Sequence, residues 1–398
     1  MMPLLAWAAL AGEPQELFKQ GRFDEALSAC QAALEKNPND AALLTLEGRV
    51  FLFENRLTES EAALEKARSL GSADPIVARL QAEVAFRRND YAAAAGFFRK
   101  SGHPETAKQM EAFAGLRPYA VEGPPGAVSI PFVQTDPLPL IRAKVGGQEG
   151  YFLIDTGAAE TVLDPKFAEQ ARVKAYGHEE GLFGGGKKSE VGLGKADSLE
   201  LGPLTIRNLP VHLLDLSRLS AAALGREVSG IVGTGLFAHF QATLDYPHGA
   251  LVLNRPDASP DGGAAAIPFW MAGDHYLVAW GRIDGSKEHL FFVDTGLAGG
   301  AFTGPDSIMS EIGIKPDTSG GLQGVGGGGS MTIAPFAIDR LALGPVERRN
   351  LPGIYGPFPP TLEQGLGFQL GGIISHQFFR TCALTFDFSA MKLRLKTK

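Results

Sequence analysis

The chain has 398 residues, too many for one ordinary core, so two or three domains are expected. An apolar share of 44% with 20% charged residues is that of a folded soluble protein, and 50 glycines, mostly beyond residue 120, suit a β-rich region with many turns. A net charge of −7 without a basic cluster argues against a nucleic-acid surface, no apolar run has the length of a membrane span, and the two cysteines, Cys30 and Cys382, supply neither a disulfide framework nor a metal cluster.

The N-terminus, MMPLLAWAALAGEP, holds an apolar stretch followed by Ala9-Leu10-Ala11. Those residues resemble a signal-peptide cleavage site, although the positive residues that usually precede the apolar core are missing. Residues 1–11 are read either as a signal remnant of a periplasmic or secreted protein or as part of a first helix in a cytoplasmic one.

From residue 7 to about 110 the chain is rich in Ala, Leu, Glu and Lys at helical spacing, and it repeats every 34 residues. Gly21, Asn55 and Asn89 align, as do Phe23, Leu57 and Tyr91, then Ala26, Ser60 and Ala94, then Cys30, Leu64 and Phe98. This pattern resembles the tetratricopeptide repeat, in which each helical hairpin buries its small-residue face against the next. Residues 1–115 are assigned to it, with Pro14 interrupting the first helix or starting a shortened one. The resemblance implies either a concave surface for a peptide or protein partner or a helical cap packed on the rest of the chain. Residues 116–128, LRPYAVEGPPGAV, are Pro/Gly-rich and read as a linker.

After the linker, short apolar runs bounded by Gly, Pro and Asp spell strands and turns. Phe152-Leu153-Ile154-Asp155-Thr156-Gly157 is answered 139 residues later by Phe291-Phe292-Val293-Asp294-Thr295-Gly296. DSLELGPLTIRNLP at 197–210 is answered by DRLALGPVERRNLP at 339–352, and GIVGTGLFAHFQATLDYPHGALVL at 230–253 by GIISHQFFRTCALTFDFSAMKLRL at 372–395. A repeat this long is a duplicated domain, placed at 129–258 and 259–398. Each copy has a hairpin leading into Asp-Thr-Gly and a Gly-rich stretch after it.

An apolar strand that ends on a carboxylate, a hydroxyl and a glycine is unusual in a core, because the carboxylate must be hydrogen-bonded or used. The hydrophobic-hydrophobic-Asp-Thr-Gly pattern, the Gly-rich segment and the later hydrophobic-hydrophobic-Gly resemble the retropepsin and pepsin type of aspartic peptidase. The resemblance covers 128–398 and implies an all-α repeat domain followed by an all-β bilobal acid-protease-like fold. It implies Asp155 and Asp294 as a catalytic pair, Thr156 and Thr295 bonded across the lobe junction, and Gly157 and Gly296 allowing close backbone approach. Gly184, Gly185 and Gly186 with Gly326, Gly327 and Gly328 become candidate flaps closing over an extended polypeptide substrate.

Two carboxylates about 3 Å apart share one proton, so one can take a proton from water while the other donates to the carbonyl. The expected activity is aspartic endopeptidase, with no cofactor and no metal. Leu297 after the second Asp-Thr-Gly, Ser375 in place of a glycine and the lack of a pepsin-like flap tyrosine, apart from Tyr176 ahead of the first flap, depart from the family. They leave open an inactive homologue that binds peptides. A glycosidase using the same carboxylates would need them more than about 5 Å apart. His239, His248, His275 and His376 lack metal-ligand spacing, and Asp245 and Asp387 read as structural.

Overall fold

The structure is a computed structural model that describes residues 13–72, 74–183, 187–220, 225–258, 262–317, 319, 321–326, 329–356, 358 and 360–397. The candidate signal remnant at 1–11 lies outside them, as do Gly184, Gly185, Gly186, Gly327 and Gly328. Among the described residues no helix is long and apolar enough to cross a membrane.

Helices Pro14–Lys19, Phe23–Lys36, Ala41–Phe53, Leu57–Ser69, Pro75–Arg87, Tyr91–Lys100 and Pro104–Glu111 make up the N-terminal region. Their hairpins turn at Gly21, Asn55 and Asn89, where φ is 75°, 57° and 60°. Glycine takes this left-handed conformation freely and asparagine tolerates it, so the chain reverses at the same point in each repeat. Ala26, Ser60 and Ala94 are fully buried and let paired helices approach. Ser60 Oγ donates to the Gly48 carbonyl at 2.7 Å. Asp40, Asp74 and Asp90 accept from amides of the helices they precede. Pro14 opens a shortened first helix, where its missing N–H costs nothing.

The stretch 116–128 is not a free linker. Ala120–Glu122 pairs antiparallel with Leu204–Leu213, Ala120 opposite Arg207, and the Asn208 side chain donates to the Arg117 carbonyl at 3.0 Å. A sheet edge offers unpaired backbone groups, and this segment satisfies them.

The two copies build two sheets of eight described strands each. The first takes Leu140–Val145, Gln148–Ile154, Thr161–Leu163, Lys174–Phe183, Lys187–Leu201, Leu204–Leu213 and Gly230–Val232, with Ala120–Glu122 at its edge. The second takes the equivalent Tyr276–Ile283, His289–Asp294, Phe302–Thr303, Leu322–Gly326, Gly329–Leu343, Val346–Tyr355 and Gly372–Ser375, with Trp270–Ala272 at its edge. In each, the strand ending at the aspartate runs parallel to the last strand, Ile154 opposite Val232 and Asp294 opposite Ser375. Each sheet also closes on itself, because Lys144 pairs with Glu200 in one and Gly281 with Leu343 in the other.

A third sheet of six strands draws on both copies. Gln241–Asp245 pairs with Cys382–Asp387, and the hydroxyls of the opposed Thr243 and Thr385 lie 2.7 Å apart. The two copies thus share one sheet. Phe237 and Phe386 stack across this junction with centroids 6.0 Å apart.

Candidate active site

Phe152, Leu153 and Ile154, and likewise Phe291, Phe292 and Val293, are buried along strands held on both sides by backbone partners. Each strand therefore delivers its aspartate at a fixed height. Beyond it, Thr156 and Thr295 are fully buried, facing one another at the junction of the copies. The Thr156 hydroxyl donates to the Val293 carbonyl at 2.9 Å and accepts from the Thr295 amide at 3.1 Å. Reciprocally, the Thr295 hydroxyl donates to the Ile154 carbonyl at 3.3 Å and accepts from the Thr156 amide at 3.1 Å. Each hydroxyl thus satisfies a buried donor and a buried acceptor of the opposite strand end.

This grip sets the aspartates against each other. The Asp155 and Asp294 carboxyls share a hydrogen bond, while the Gly157 amide donates to Asp155 Oδ1 at 2.7 Å and the Gly296 amide to Asp294 Oδ1 at 2.8 Å. The glycines are required by distance. A Cβ on Gly157 would stand 2.8 Å from the Asp294 carboxylate, and one on Gly296 only 2.1 Å from Asp155 Cγ.

Burial, the charge of Asp294 and the shared hydrogen bond push the Asp155 carboxyl well above the ordinary carboxylate range, against the pull of the Gly157 amide. Burial also raises Asp294, opposed by the Gly296 amide, the bond from Asp155 and the nearby His275. Both residues nevertheless keep some solvent exposure. Such a pair holds one proton between two carboxyls and titrates as a unit.

The turns after the aspartates are braced differently in the two copies. In the first, the Thr234 amide donates to Ala158 O at 2.9 Å, the Gly235 amide to Ala159 O at 2.7 Å and the Thr234 hydroxyl to Thr156 O at 3.0 Å. A Cβ at Gly233 would lie 2.4 Å from Glu160 O. In the second, Ser375 Oγ reaches Leu297 O at 2.9 Å and also contacts Asp294 O. The serine that departs from the family pattern thus contributes a hydroxyl where the first copy uses an amide.

The described parts of the Gly-rich segments belong to hairpins formed by Lys174–Phe183 with Lys187–Leu201 and by Leu322–Gly326 with Gly329–Leu343. Of the candidate flap glycines only Gly326 is among the described residues, paired with Gly329. Tyr176 lies on the first hairpin, its ring 5.3 Å from Lys174 Nζ.

The remaining polar candidates are dispersed. His239 stacks on Tyr119, His248 bonds Asp245 at 2.8 Å, His275 bonds Asp274 at 2.6 Å and His376 lies 3.5 Å from Asp136. Asp387 holds Arg394 through Nε and Nη2 at 3.0 and 2.8 Å. Among the described residues no group of three His, Cys, Asp or Glu is arranged to hold a metal. Cys30 and Cys382 are separate buried thiols, pushed up to about 12 and about 11 mainly by burial.

Two residues were not singled out from the sequence. Thr234 follows Gly233 directly, so a hydroxyl beside the late glycine was the available signal. Glu160, 5% exposed, hydrogen-bonds the Tyr119 hydroxyl, and burial raises its carboxyl to about 8. No signal near Glu160 points to Tyr119.

No curated protein matches the chain. Residues 17–84 match the tetratricopeptide repeat family model and residues 141–234 the aspartyl protease family model. The second match runs from the hairpin before Asp155 to Thr234 and so spans the first copy's half of the site. The chain thus carries tetratricopeptide repeats followed by an aspartyl protease domain.

Proposed function

We propose that the chain is an aspartic endopeptidase of bilobal, retropepsin-like build that hydrolyses peptide bonds of extended polypeptide with a water activated between Asp155 and Asp294. The observation that carries this reading is the reciprocal threonine grip, which holds two carboxyls in hydrogen-bond contact. One carboxyl, ionised, takes a proton from the attacking water, and the other, protonated, donates to the carbonyl oxygen of the scissile bond. Coupled titration gives neither residue a fixed role. Carboxyls in contact do not suit a glycosidase, whose pair stands about 5 Å or more apart. The two hairpins would close over the substrate and meet its main chain as added strands. The helical repeats suit a protein or peptide partner.

Asp155→Asn and Asp294→Asn should each abolish cleavage of an unfolded protein or a peptide library, a loss of at least about a thousandfold for a single-step acid–base pair. Cleavage that survives both single substitutions would remove the proposal. Saturable peptide binding with no turnover at any pH from about 3 to 8 would favour the inactive, peptide-binding homologue instead.

A further inference from the structure

The turns that follow Asp155 and Asp294 are tied to their last strands by unequal means. After Asp155 four bonds act together. Ala158 N donates to Asp155 O at 3.3 Å, Thr234 N to Ala158 O at 2.9 Å, Gly235 N to Ala159 O at 2.7 Å and the Thr234 hydroxyl to Thr156 O at 3.0 Å. The short helix Thr234–Phe237 thereby grips the far side of the turn, at Ala158 and Ala159. After Asp294 none of the four has a counterpart among the described residues. The parallel pairing runs one residue further, to Asp294 opposite Ser375, but no amide of the equivalent helix His376–Phe379 reaches Leu297 or Ala298, and Leu297 does not close back onto Asp294. His376 stands in the chain where the first copy has Thr234, and its ring lies 3.5 Å from Asp136 without a bond to the turn.

One side chain takes over the far side of the second turn. Ser375 is fully buried, and its hydroxyl reaches the carbonyls of both Asp294 and Leu297, the latter at 2.9 Å. A serine hydroxyl has a single hydrogen, shared here between the two ends of the turn. It closes across the turn what Ala158 closes for itself in the first copy, and it ties the Leu297 end to the last strand. Gly296 lies between those ends. Its amide holds Asp294 Oδ1 at 2.8 Å, and its Cα comes so close to Asp155 that a Cβ would stand 2.1 Å from Asp155 Cγ. Slack at Leu297 therefore passes directly to the amide that aims the Asp294 carboxyl. A turn held by four bonds keeps its shape when one is lost, whereas a turn held by one hydroxyl does not.

We propose that Ser375 is the positioning residue for the Asp294 half of the site: its hydroxyl holds Leu297 so that the Gly296 amide stays on the Asp294 carboxyl and that carboxyl stays against Asp155. The two halves then differ in kind, one set by backbone and one by a side chain. The proposal rests on the peptide-hydrolysis reading above.

In the full chain, Ser375→Ala removes the hydroxyl and little else, and Ser375→Gly supplies the first copy's residue without its helix amides. Both should lower kcat on an unfolded protein or peptide about a hundredfold, the scale of a misplaced catalytic group, with KM kept within about threefold. The two limbs of the kcat–pH profile, which report the shared proton, should draw together by about one pH unit, a tenfold weaker interaction between the carboxyls. Thr234→Val, which takes one bond of four from the other turn, should lower kcat less than either. A further readout needs no turnover: amide hydrogen exchange in the Ser375 variants should quicken along 294–300 and stay unchanged along 155–160. Full kcat in both Ser375 variants, with Asp155→Asn and Asp294→Asn inactive, removes the brace and keeps the peptidase. Quickened exchange along 294–300 alone, in a chain whose parent cleaves nothing, keeps the brace and removes the peptidase. Equal quickening in both turns, or a loss confined to KM, makes the serine an ordinary structural residue and overturns the proposal.

Discussion

Glu160 is a carboxyl that the fold keeps protonated near neutrality. Burial raises it to about 8 despite the hydrogen bond from Tyr119, whereas an unfolded chain releases that proton near about 4.3. Below the lower value both states hold the proton, and the contribution of Glu160 to stability is fully present. Between the two values only the folded state holds it, so stability is lost as pH rises toward 8, by up to about 1.4 kcal/mol per pH unit. Glu160→Gln should remove this slope. In urea titrations the variant should gain on the parent chain between pH 5 and pH 8 by a few kcal/mol at most, and an unchanged difference would show that Glu160 already ionises in the fold. The Asp155–Asp294 pair and this carboxyl differ in how openly the sequence displays them. Asp155 and Asp294 announce themselves because an acid at the end of an apolar strand occurs twice at one offset. Glu160 follows a turn, where an acid normally faces water, and its partner Tyr119 sits in a stretch whose prolines and glycines read as linker.

Among the elements, the helical hairpins were readable because Gly21, Asn55 and Asn89 recur where the backbone must turn left-handed. What the last helix does was not readable. Pro104–Glu111 packs on the first hairpin, with Thr106 bonded to Glu179 and Gln109 Nε2 donating to the carbonyls of Gly194 and Val211 at 2.8 and 3.2 Å. These partners are polar groups of three strands met long after the helix, and no periodicity reports them. The second hairpin, Leu322–Gly326 with Gly329–Leu343, packs instead against the short helix Ser217–Leu219. Gln109→Ala should therefore cost about 1 kcal/mol, the net value of an ordinary buried hydrogen bond, and loosen the first hairpin alone. Hydrogen exchange should quicken along Lys174–Leu201 and stay unchanged along Gly329–Leu343. Equal change in both hairpins would mean that the helix braces the whole molecule and not the base of the first hairpin.

At the scale of the whole molecule, the repeats are joined to the second copy by an aromatic seam. Phe23 lies 5.1 Å from Phe368, 5.3 Å from Phe53 and 5.6 Å from Trp270 between ring centroids, and Phe18 lies 6.0 Å from Phe368. The Arg49 guanidinium stands 4.6 Å over the Phe18 ring and donates to the Leu366 carbonyl at 2.7 Å. Each half of this seam reads from its own sequence as ordinary helix core or strand end, since the contacts join the first repeat to the last third of the chain. Fully buried rings in edge-to-face contact exclude water from the joint, so opening it exposes apolar surface on both sides at once. The helical and β regions should then unfold in one transition, followed equally by helical circular dichroism and by tryptophan fluorescence. Phe23→Ala, which leaves a ring-sized void between two regions, should lower both signals together by about 3–5 kcal/mol of stability. If the helical signal fell at a lower temperature while the fluorescence held its midpoint, the seam would be a contact between independent domains. The repeats would then be a mobile appendage.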